Sequence, residues 1–266
     1  MGTLFSLSNV SVVKDGRTIL GPLDLSVDIG ESIAVIGRNG SGKTTLSKLL
    51  RKEISPYYDE LAHSSLIILG KGDWDIFDLR REIVSVSMDD ERFFSDGKIV
   101  AEVIMSGMFG SDGIYPTYDI TKEMVDRMEE VAEITGLSGR LRRAFGTLSQ
   151  GERRSAMIAR ALMPCPKAMI LDEPTNSLDP VASAMFISMI EGLIESGTSV
   201  VMITHKLEDI PRGIGRVICM KDGIKAADGR KEEILVSETL SEIYGCPTEV
   251  IFDGGLYSLK VDVTKV

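Results

Sequence analysis

The segment Gly37-Arg38-Asn39-Gly40-Ser41-Gly42-Lys43-Thr44 decides the fold of this 266-residue chain. It follows a short apolar run, residues 32–36, and precedes a stretch in which leucines recur at helical spacing. A glycine-rich turn with the spacing Gly-x4-Gly-Lys-Thr, set between a strand and a helix, is the P-loop pattern. The sequence therefore predicts an α/β fold in which this loop joins a parallel strand to a helix.

The residue types of this loop suit a triphosphate. Glycines allow successive backbone N–H groups to point inward, and the following helix directs its positive end to the same place. Lys43 can reach the β- and γ-phosphates as a point charge, and the Thr44 hydroxyl can ligate Mg²⁺. We therefore expect ATP and Mg²⁺ to bind here. The expected nucleotide contacts are Gly37, Arg38, Asn39, Gly40, Ser41, Gly42, Lys43, Thr44 and Thr45.

A second apolar run, residues 168–171, ends in two acids, Asp172 and Glu173. Ligands of α/β folds bind at the carboxyl edge of a parallel sheet, where this strand would end. We expect Asp172 to hold the magnesium ion and Glu173 to polarise an attacking water. Because successive strand residues point to opposite sides, the two acids need not share a role.

The remaining pattern places these motifs in one cassette. An Asp-Gly turn between two apolar-rich runs predicts an N-terminal hairpin, and alternating strands and helices after residue 167 predict a parallel sheet with crossover helices. The expected strands are 4–13, 19–29, 32–36, 168–171, 199–203 and 216–220, and the expected helices are 99–105, 121–135, 152–163, 180–195 and 238–244. A final hairpin is expected to turn at Asp253-Gly254-Gly255.

Two more segments and one histidine complete the set of motifs. Leu148-Ser149-Gln150-Gly151-Glu152 opens a helix, Pro174-Thr175-Asn176-Ser177-Leu178-Asp179-Pro180 follows the acids, and His205 follows the strand 199–203. In this order and spacing, over about residues 4–229, the motifs resemble the ABC ATPase family. The resemblance implies a P-loop NTPase with a mostly parallel sheet core, an N-terminal antiparallel β subdomain and an inserted helical subdomain.

The resemblance also implies residue roles and domain bounds. Glu173 would be the general base, and His205 would contact the γ-phosphate. Ser149, Gln150 and Gly151 would cap the γ-phosphate of ATP held by a second subunit, and Asp179 would cross that dimer interface. The nucleotide-binding domain would span residues 1–236, with its helical subdomain at about 95–165, and residues 237–266 would form a C-terminal helix and hairpin packed on it.

Two positions depart from the family pattern. The family carries a magnesium-contacting glutamine after a strand ahead of the helical subdomain, and Met88 stands there in this chain. An aromatic residue that stacks on adenine in the first hairpin is replaced by Val13 or Lys14. Both departures, and the tail at Tyr244-Gly245, are similar to single-cassette proteins related to the molybdate and iron-complex ATPases.

Composition limits the partners. The net charge of −10 argues against a nucleic-acid binder, since phosphate neutralisation needs clustered basic residues. No apolar stretch approaches the roughly 18 residues of a spanning helix. The resemblance to the ABC ATPases then implies a cytoplasmic ATPase, peripheral on the inner membrane face, with a second copy of itself and integral membrane permease subunits as partners. Docking is expected around residues 87–110, where Met105, Met108 and Phe109 would either line an apolar groove or pack in the core. The alternative is a soluble single-cassette ABC ATPase, of an iron–sulfur-assembly or regulatory kind, with no transporter.

Overall fold

The computed structural model describes residues 2–58 and 63–261, and within them six strands form the central sheet. The strands are β3 (Ile33–Ile36), β5 (Ile83–Val86), β6 (Ala168–Asp172), β7 (Ser199–Ile203), β8 (Arg216–Lys221) and β9 (Ile224–Arg230). Their order is β5-β6-β7-β3-β8-β9, and every neighbouring pair is parallel except β8 and β9. The sheet confirms the predicted α/β class.

The central strands are apolar on both faces because both faces of the sheet are covered. In β3, Ile33 and Val35 belong to one core cluster, whereas Ala34 and Ile36 belong to the other. The strands β6 and β7 alternate in the same way. The sheet is therefore the middle of three layers.

One covering layer is antiparallel. It consists of β1 (Thr3–Lys14), β2 (Arg17–Asp28) and β4 (Ser65–Ile68), in the order β2-β1-β4. The predicted hairpin turn is present at Asp15 and Gly16, which have φ angles of 51° and 74°. The helix α1 (Lys43–Leu50) buries Leu46, Leu49 and Leu50 in the cluster shared with this layer.

The opposite layer is helical and is inserted between β5 and β6. The inserted helices are α3 (Val100–Met105), α4 (Lys122–Ile134) and α5 (Gln150–Leu162), and α6 (Pro180–Glu195), which follows β6, packs in the same cluster. The helix α2 (Ile76–Glu82) precedes β5 and buries Leu79 in the cluster of the antiparallel layer. The bounds of α3, α4, α5 and α6 agree with the predicted helices to within two residues. The side chain of Asp179 caps α6, whose N1 position is Pro180, a residue with fixed φ and no N–H to satisfy.

The C-terminal segment contains α7 (Lys231–Ile234), α8 (Ser237–Tyr244) and a two-stranded hairpin, β10 (Thr248–Asp253) and β11 (Leu256–Val261). Its turn is at Gly254 and Gly255, as predicted. The strand β11 packs against a short 3-10 turn, Leu207–Asp209, that follows His205. The division of the chain at residue 236 stays a prediction, and residues 262–266 lie outside the described part.

The sequence pattern missed α2, β4, β9 and α7, and the insert is less helical than expected because 3-10 turns separate its helices. The backbone of Met88–Phe93 forms one such turn. The side chain of Met88 lies outside the described residues. Among the residues that the structure describes, none of the helices is both long and apolar enough to cross a membrane.

Candidate nucleotide-binding and catalytic site

The glycine-rich loop connects β3 to α1, as its pattern predicts. Gly37 has a φ of 151°, and a Cβ atom at this position would lie 2.2 Å from the carbonyl oxygen of Met220. A contact that short with backbone cannot be relieved by moving a side chain, so only glycine fits. The loop can therefore approach β8 closely.

Two backbone hydrogen bonds attach this loop to the rest of the fold. The N–H of Gly223, in the turn between β8 and β9, donates to the carbonyl of Ser41 over 3.1 Å. The N–H of Gly21 in β2 in turn donates to the carbonyl of Gly223 over 2.7 Å. The loop is thus held by both the central sheet and the antiparallel layer.

Lys43 lies inside the loop. Its Nζ donates to the carbonyl oxygens of Gly37 (2.8 Å) and Arg38 (3.0 Å). Burial lowers the pKa of Lys43, while the nearby carboxylates of Glu173 and Asp172 oppose that change. An anion placed at the loop offers this desolvated ammonium a stronger acceptor than two neutral carbonyls. The arrangement suits phosphate.

Asp172 ends β6 and pairs in register with Ile203 of β7. Burial raises the pKa of Asp172, and the neighbouring Glu173 raises it further, while Arg51 and Lys43 act in the opposite direction. A partly desolvated carboxylate gains from a cation beside it. With the exposed Thr44 at the start of α1, Asp172 gives the oxygen ligands that magnesium accepts alongside water and phosphate.

Glu173 lies next to His205. The distance between Glu173 Oε1 and His205 Nδ1 is 3.2 Å, and the amide of Asn176 donates to Glu173 Oε2. The backbone of Glu173 has a φ of 49°, in the left-handed region that costs a non-glycine residue on the order of 1 kcal/mol. Its N–H donates to Ile203 over 2.8 Å, which holds this conformation at the strand end.

His205 follows β7 and is positioned by the residue before it. The N–H of Thr204 donates to Val35 of β3 over 3.1 Å, so the turn carrying His205 is attached to the strand that leads into the loop. The Thr204 hydroxyl lies 3.2 Å from the buried carboxylate of Asp209. Sequence reasoning missed both Asn176, as a partner of Glu173, and Asp209. No local pattern marks either role.

The segment at 148–152 begins α5 through a capping box. The Ser149 hydroxyl accepts from the N–H of Glu152 (3.2 Å), and the Glu152 carboxylate accepts from the N–H of Ser149 (3.0 Å). Ser149 and Gln150 are exposed. A Cβ on Gly151 would lie 3.2 Å from the Cβ of Ala182, so α5 begins beside the first turn of α6.

The chain brings together some of the expected site residues and not others. The loop, Asp172, Glu173 and His205 lie at one edge of the sheet. Asp179 is exposed and uses its carboxylate to cap α6, accepting from Val181 (2.9 Å) and Ala182 (3.0 Å). Among residues 2–58 and 63–261, no hydrogen bond or ion pair joins residues 149–151 to the glycine-rich loop, to Asp172 or to Glu173.

A groove of about 560 Å³ lies between the sheet and the inserted helices. It is lined by residues of four segments, among them Arg51, Ile83, Ser85, Phe93, Gly110 and Arg160. Phe93 is 70% exposed. Met105 is buried in the helical core, Met108 packs against it, and Phe109 stacks on Tyr118. Of the two expectations for these residues, the structure agrees with core packing, and they do not line this groove.

The strand order, the glycine-rich loop and the acids at the strand end define a P-loop NTPase. The family model for ABC transporters matches residues 20–176, and the chain belongs to that family. An ABC transporter ATP-binding protein of Bacillus subtilis (strain 168), YlmA, is 31% identical over 94% of both chains. The cobalt import ATP-binding protein of Syntrophus aciditrophicus is 32% identical and covers 82% of this chain and 75% of its own.

A solved structure agrees with the fold. The ADP conformation of MJ1267, an ATP-binding cassette of an ABC transporter, superposes with a TM-score of 0.76 and covers 91% of this chain and 98% of its own, at 23% identity. The resemblance drawn from the sequence motifs is therefore confirmed at the level of family and fold. The similarity to the molybdate and iron-complex subgroup stays a prediction.

Proposed function

We propose that this chain hydrolyses ATP with magnesium and thereby powers transport through separate transmembrane subunits. The observation that carries the proposal is the contact of 3.2 Å between Glu173 and His205, on the same sheet edge as Lys43 and Asp172. In this proposal Glu173 is the base and His205 its partner, beside the loop that would hold the phosphates. Phosphoryl transfer requires mainly such positioning and charge stabilisation.

Each residue has a distinct role in the proposed reaction. Lys43 and the loop N–H groups bind the phosphates. Thr44 and Asp172 would hold Mg²⁺, whose positive charge offsets the negative charge of the triphosphate. The Glu173 carboxylate, held by Asn176, orients and polarises the attacking water. His205, which lies beside Glu173, would contact the γ-phosphate. The departure at Val13 and Lys14 predicts weaker stacking on the base, worth about 1–3 kcal/mol.

The active unit in this proposal is a head-to-tail homodimer. Ser149 and Gln150 are exposed at the N-terminus of a 13-residue helix and have no bond to the loop of their own chain. The positive end of that helix suits a phosphate. In a dimer, the N-terminus of α5 from the second copy would lie against ATP bound at the glycine-rich loop of the first, with Asp179 between the subunits. Each dimer then has two composite sites.

The test is Glu173→Gln, compared with wild type and with Lys43→Ala. We expect Glu173→Gln to bind ATP, to hydrolyse it at least about 100-fold more slowly, and to elute as a dimer with ATP by light scattering. Lys43→Ala should bind poorly and stay monomeric. Wild-type activity should rise more than linearly with protein concentration. Hydrolysis at the wild-type rate by Glu173→Gln would refute the role of Glu173.

The proposed permease contact is the groove beside residues 87–110. Phe93 is 70% exposed at the wall of this groove, and aromatic residues are enriched at protein–protein interfaces. Phe93→Ser should reduce co-purification of integral membrane proteins from native membranes without changing the ATPase rate of the isolated chain. Phe252→Ser, which alters a phenylalanine 62% exposed on the C-terminal hairpin, is the matched control. Equal recovery with both variants would exclude this groove as the contact.

The proposed location follows from this partner. A subunit that docks on a permease and consumes ATP would lie in the cytoplasm, peripheral on the inner face of the membrane. The relative that is named for cobalt import supports an assignment to transport rather than to a free ATPase. The permease would select the transported substrate, since the site proposed on this chain serves to bind and hydrolyse ATP.

A further inference from the structure

Asp209 is a buried carboxylate outside the motifs of the site. It is 6% exposed and lies at the end of the turn Leu207–Asp209, four residues after His205. Its Oδ2 atom accepts a hydrogen bond from the hydroxyl of Thr175 and lies 3.2 Å from the hydroxyl of Thr204. One oxygen therefore contacts two threonines that are far apart in sequence.

The two threonines belong to the two loops that carry the catalytic pair. Thr175 is fully buried and lies two residues after Glu173, and Thr204 is 1% exposed and immediately precedes His205. Thr204 Oγ1 also accepts from the N–H of Lys206 over 3.0 Å, which shapes the turn around His205. The carboxylate of Asp209 thus connects the loop after β6 to the loop after β7.

The turn that carries Asp209 is also held from outside. The strand β11 packs against Leu207–Asp209, and the Arg212 guanidinium donates to the carbonyl of Gly254 in the hairpin turn over 2.6 Å. Burying a carboxylate costs free energy that apolar residues at the same place would not cost. A carboxylate buried here with two hydroxyl partners is therefore better explained by the positions that it gives the two loops than by a gain in the stability of the fold.

We infer that Asp209 is a positioning residue for hydrolysis, which fixes the distance between Glu173 and His205 through Thr175 and Thr204. It does not touch the reacting atoms. The inference rests on the proposed ATPase function. If Asp209 acts through the pair, weakening its bonds slows the chemical step while leaving the phosphate loop, and therefore ATP binding, as it was. A purely structural role would change stability without this separation of kcat from KM.

The experiment compares substitutions that differ by one hydroxyl group. Thr175→Val keeps the size of the side chain and removes the donor to Asp209, whereas Thr175→Ser keeps the donor. Asp209→Asn keeps the shape and removes the charge. Thr135→Val is the control, because Thr135 is 7% exposed and its hydroxyl donates to Val131 in the helical layer, away from the pair. All variants are made in the full chain, with kcat, KM, ATP affinity and thermal unfolding measured.

We expect Asp209→Asn and Thr175→Val to lower kcat by roughly 10- to 100-fold, because small misplacement of a catalytic group has effects of this size. KM and ATP affinity should change less than about twofold, and Thr175→Ser should retain activity within about threefold of wild type. Thr135→Val should lower the unfolding temperature without lowering kcat. If Asp209→Asn does not fold, the Thr175 pair decides the question.

Three outcomes overturn the inference. Wild-type kcat in Thr175→Val and Asp209→Asn would show that the pair is placed without Asp209. A loss of kcat that Thr135→Val shares, in proportion to its loss of stability, would show a structural role alone. A wild type that does not hydrolyse ATP, or a Glu173→Gln variant as active as wild type, would refute the proposed function and the inference with it. The first two outcomes leave the proposed function intact.

Discussion

His205 Nδ1 lies 3.2 Å from Glu173 Oε1, although the two residues are 32 positions apart in the chain. The backbone produces this contact. Asp172 pairs with Ile203 in the parallel register of β6 and β7, and the N–H of Glu173 donates to Ile203 over 2.8 Å. The first residues beyond the two strand ends therefore emerge side by side. The pair is a property of the sheet register as much as of the two side chains.

The amide of Asn176 contacts the other carboxylate oxygen of Glu173, and this contact gives a first prediction. Asn176→Ala should lower kcat about tenfold, since the carboxylate loses one of the two groups that orient it. Asn176→Asp should lower kcat further, because two carboxylates would then face each other. Steady-state ATPase assays with an ATP-affinity measurement check both changes. Equal activity in Asn176→Ala and wild type would show that Asn176 does not hold the base.

Much of the fold was predictable from the sequence because its signals are local. The glycine spacing around Lys43 requires a turn between a strand and a helix, and the apolar runs before Asp172 and after residue 198 identify buried strands. The capping sequence at Ser149 and the Asp179-Pro180 pair identify helix starts, and the structure places α5 and α6 there. Each signal lies within a few residues of the element that it predicts.

The interactions between distant segments were not predictable in this way. No pattern in the sequence states that β6 lies beside β7, and hence that Glu173 meets His205. The role of Asp209 depends on two loops that meet only in the folded chain. The strand β4 and the helix α2 were missed because four to seven residues give too little periodicity to separate them from loops.

A second prediction concerns Gly37, where the loop passes so close to β8 that a side chain would not fit. Gly37→Ala should destabilise the chain by at least about 2 kcal/mol and abolish ATP binding, because its Cβ would meet Met220 at 2.2 Å. Chemical unfolding and a fluorescent ATP analogue measure the two effects. The control is Gly192→Ala, on the exposed side of α6 with free space around it, which should stabilise the chain by about 0.5–1 kcal/mol. Normal ATP binding by Gly37→Ala would contradict the steric argument.

A third prediction separates two roles of Asp179. Its carboxylate caps α6, so Asp179→Ala should cost about 1 kcal/mol of stability, whereas Asp179→Asn keeps the cap and should cost little. If Asp179 also crosses the dimer interface, Asp179→Asn should still reduce ATP-dependent dimerisation and hydrolysis. Unfolding curves and light scattering with ATP distinguish the two effects. A fully active and fully dimeric Asp179→Asn would leave capping as its role.

The fourth prediction is a pH dependence of stability at the edge of the central sheet, where β9 pairs with β8. Asp228 of β9 accepts two hydrogen bonds from Arg216 of β8, at 2.7 and 2.9 Å, and one from Lys225 at 2.7 Å. Burial alone would raise the pKa of Asp228, but these cationic donors outweigh burial and lower the pKa below its usual value of 3.8. The ionised carboxylate therefore stabilises the folded chain.

The sign of the effect follows from that lowered pKa. The stabilisation is fully present above pH 3.8, the value in the unfolded chain, and is lost as the pH falls through the lower folded-state pKa. Asp228→Asn should therefore lower the free energy of unfolding by about 1–2 kcal/mol at pH 7, and by progressively less below pH 4. Urea unfolding of both proteins from pH 7 to pH 3 measures this difference. Asp253→Asn, at the exposed end of β10, is the control for replacing a carboxylate with an amide. A difference for Asp228→Asn that stays constant down to pH 3 would mean that packing, and not the charge of this carboxylate, joins β9 to β8.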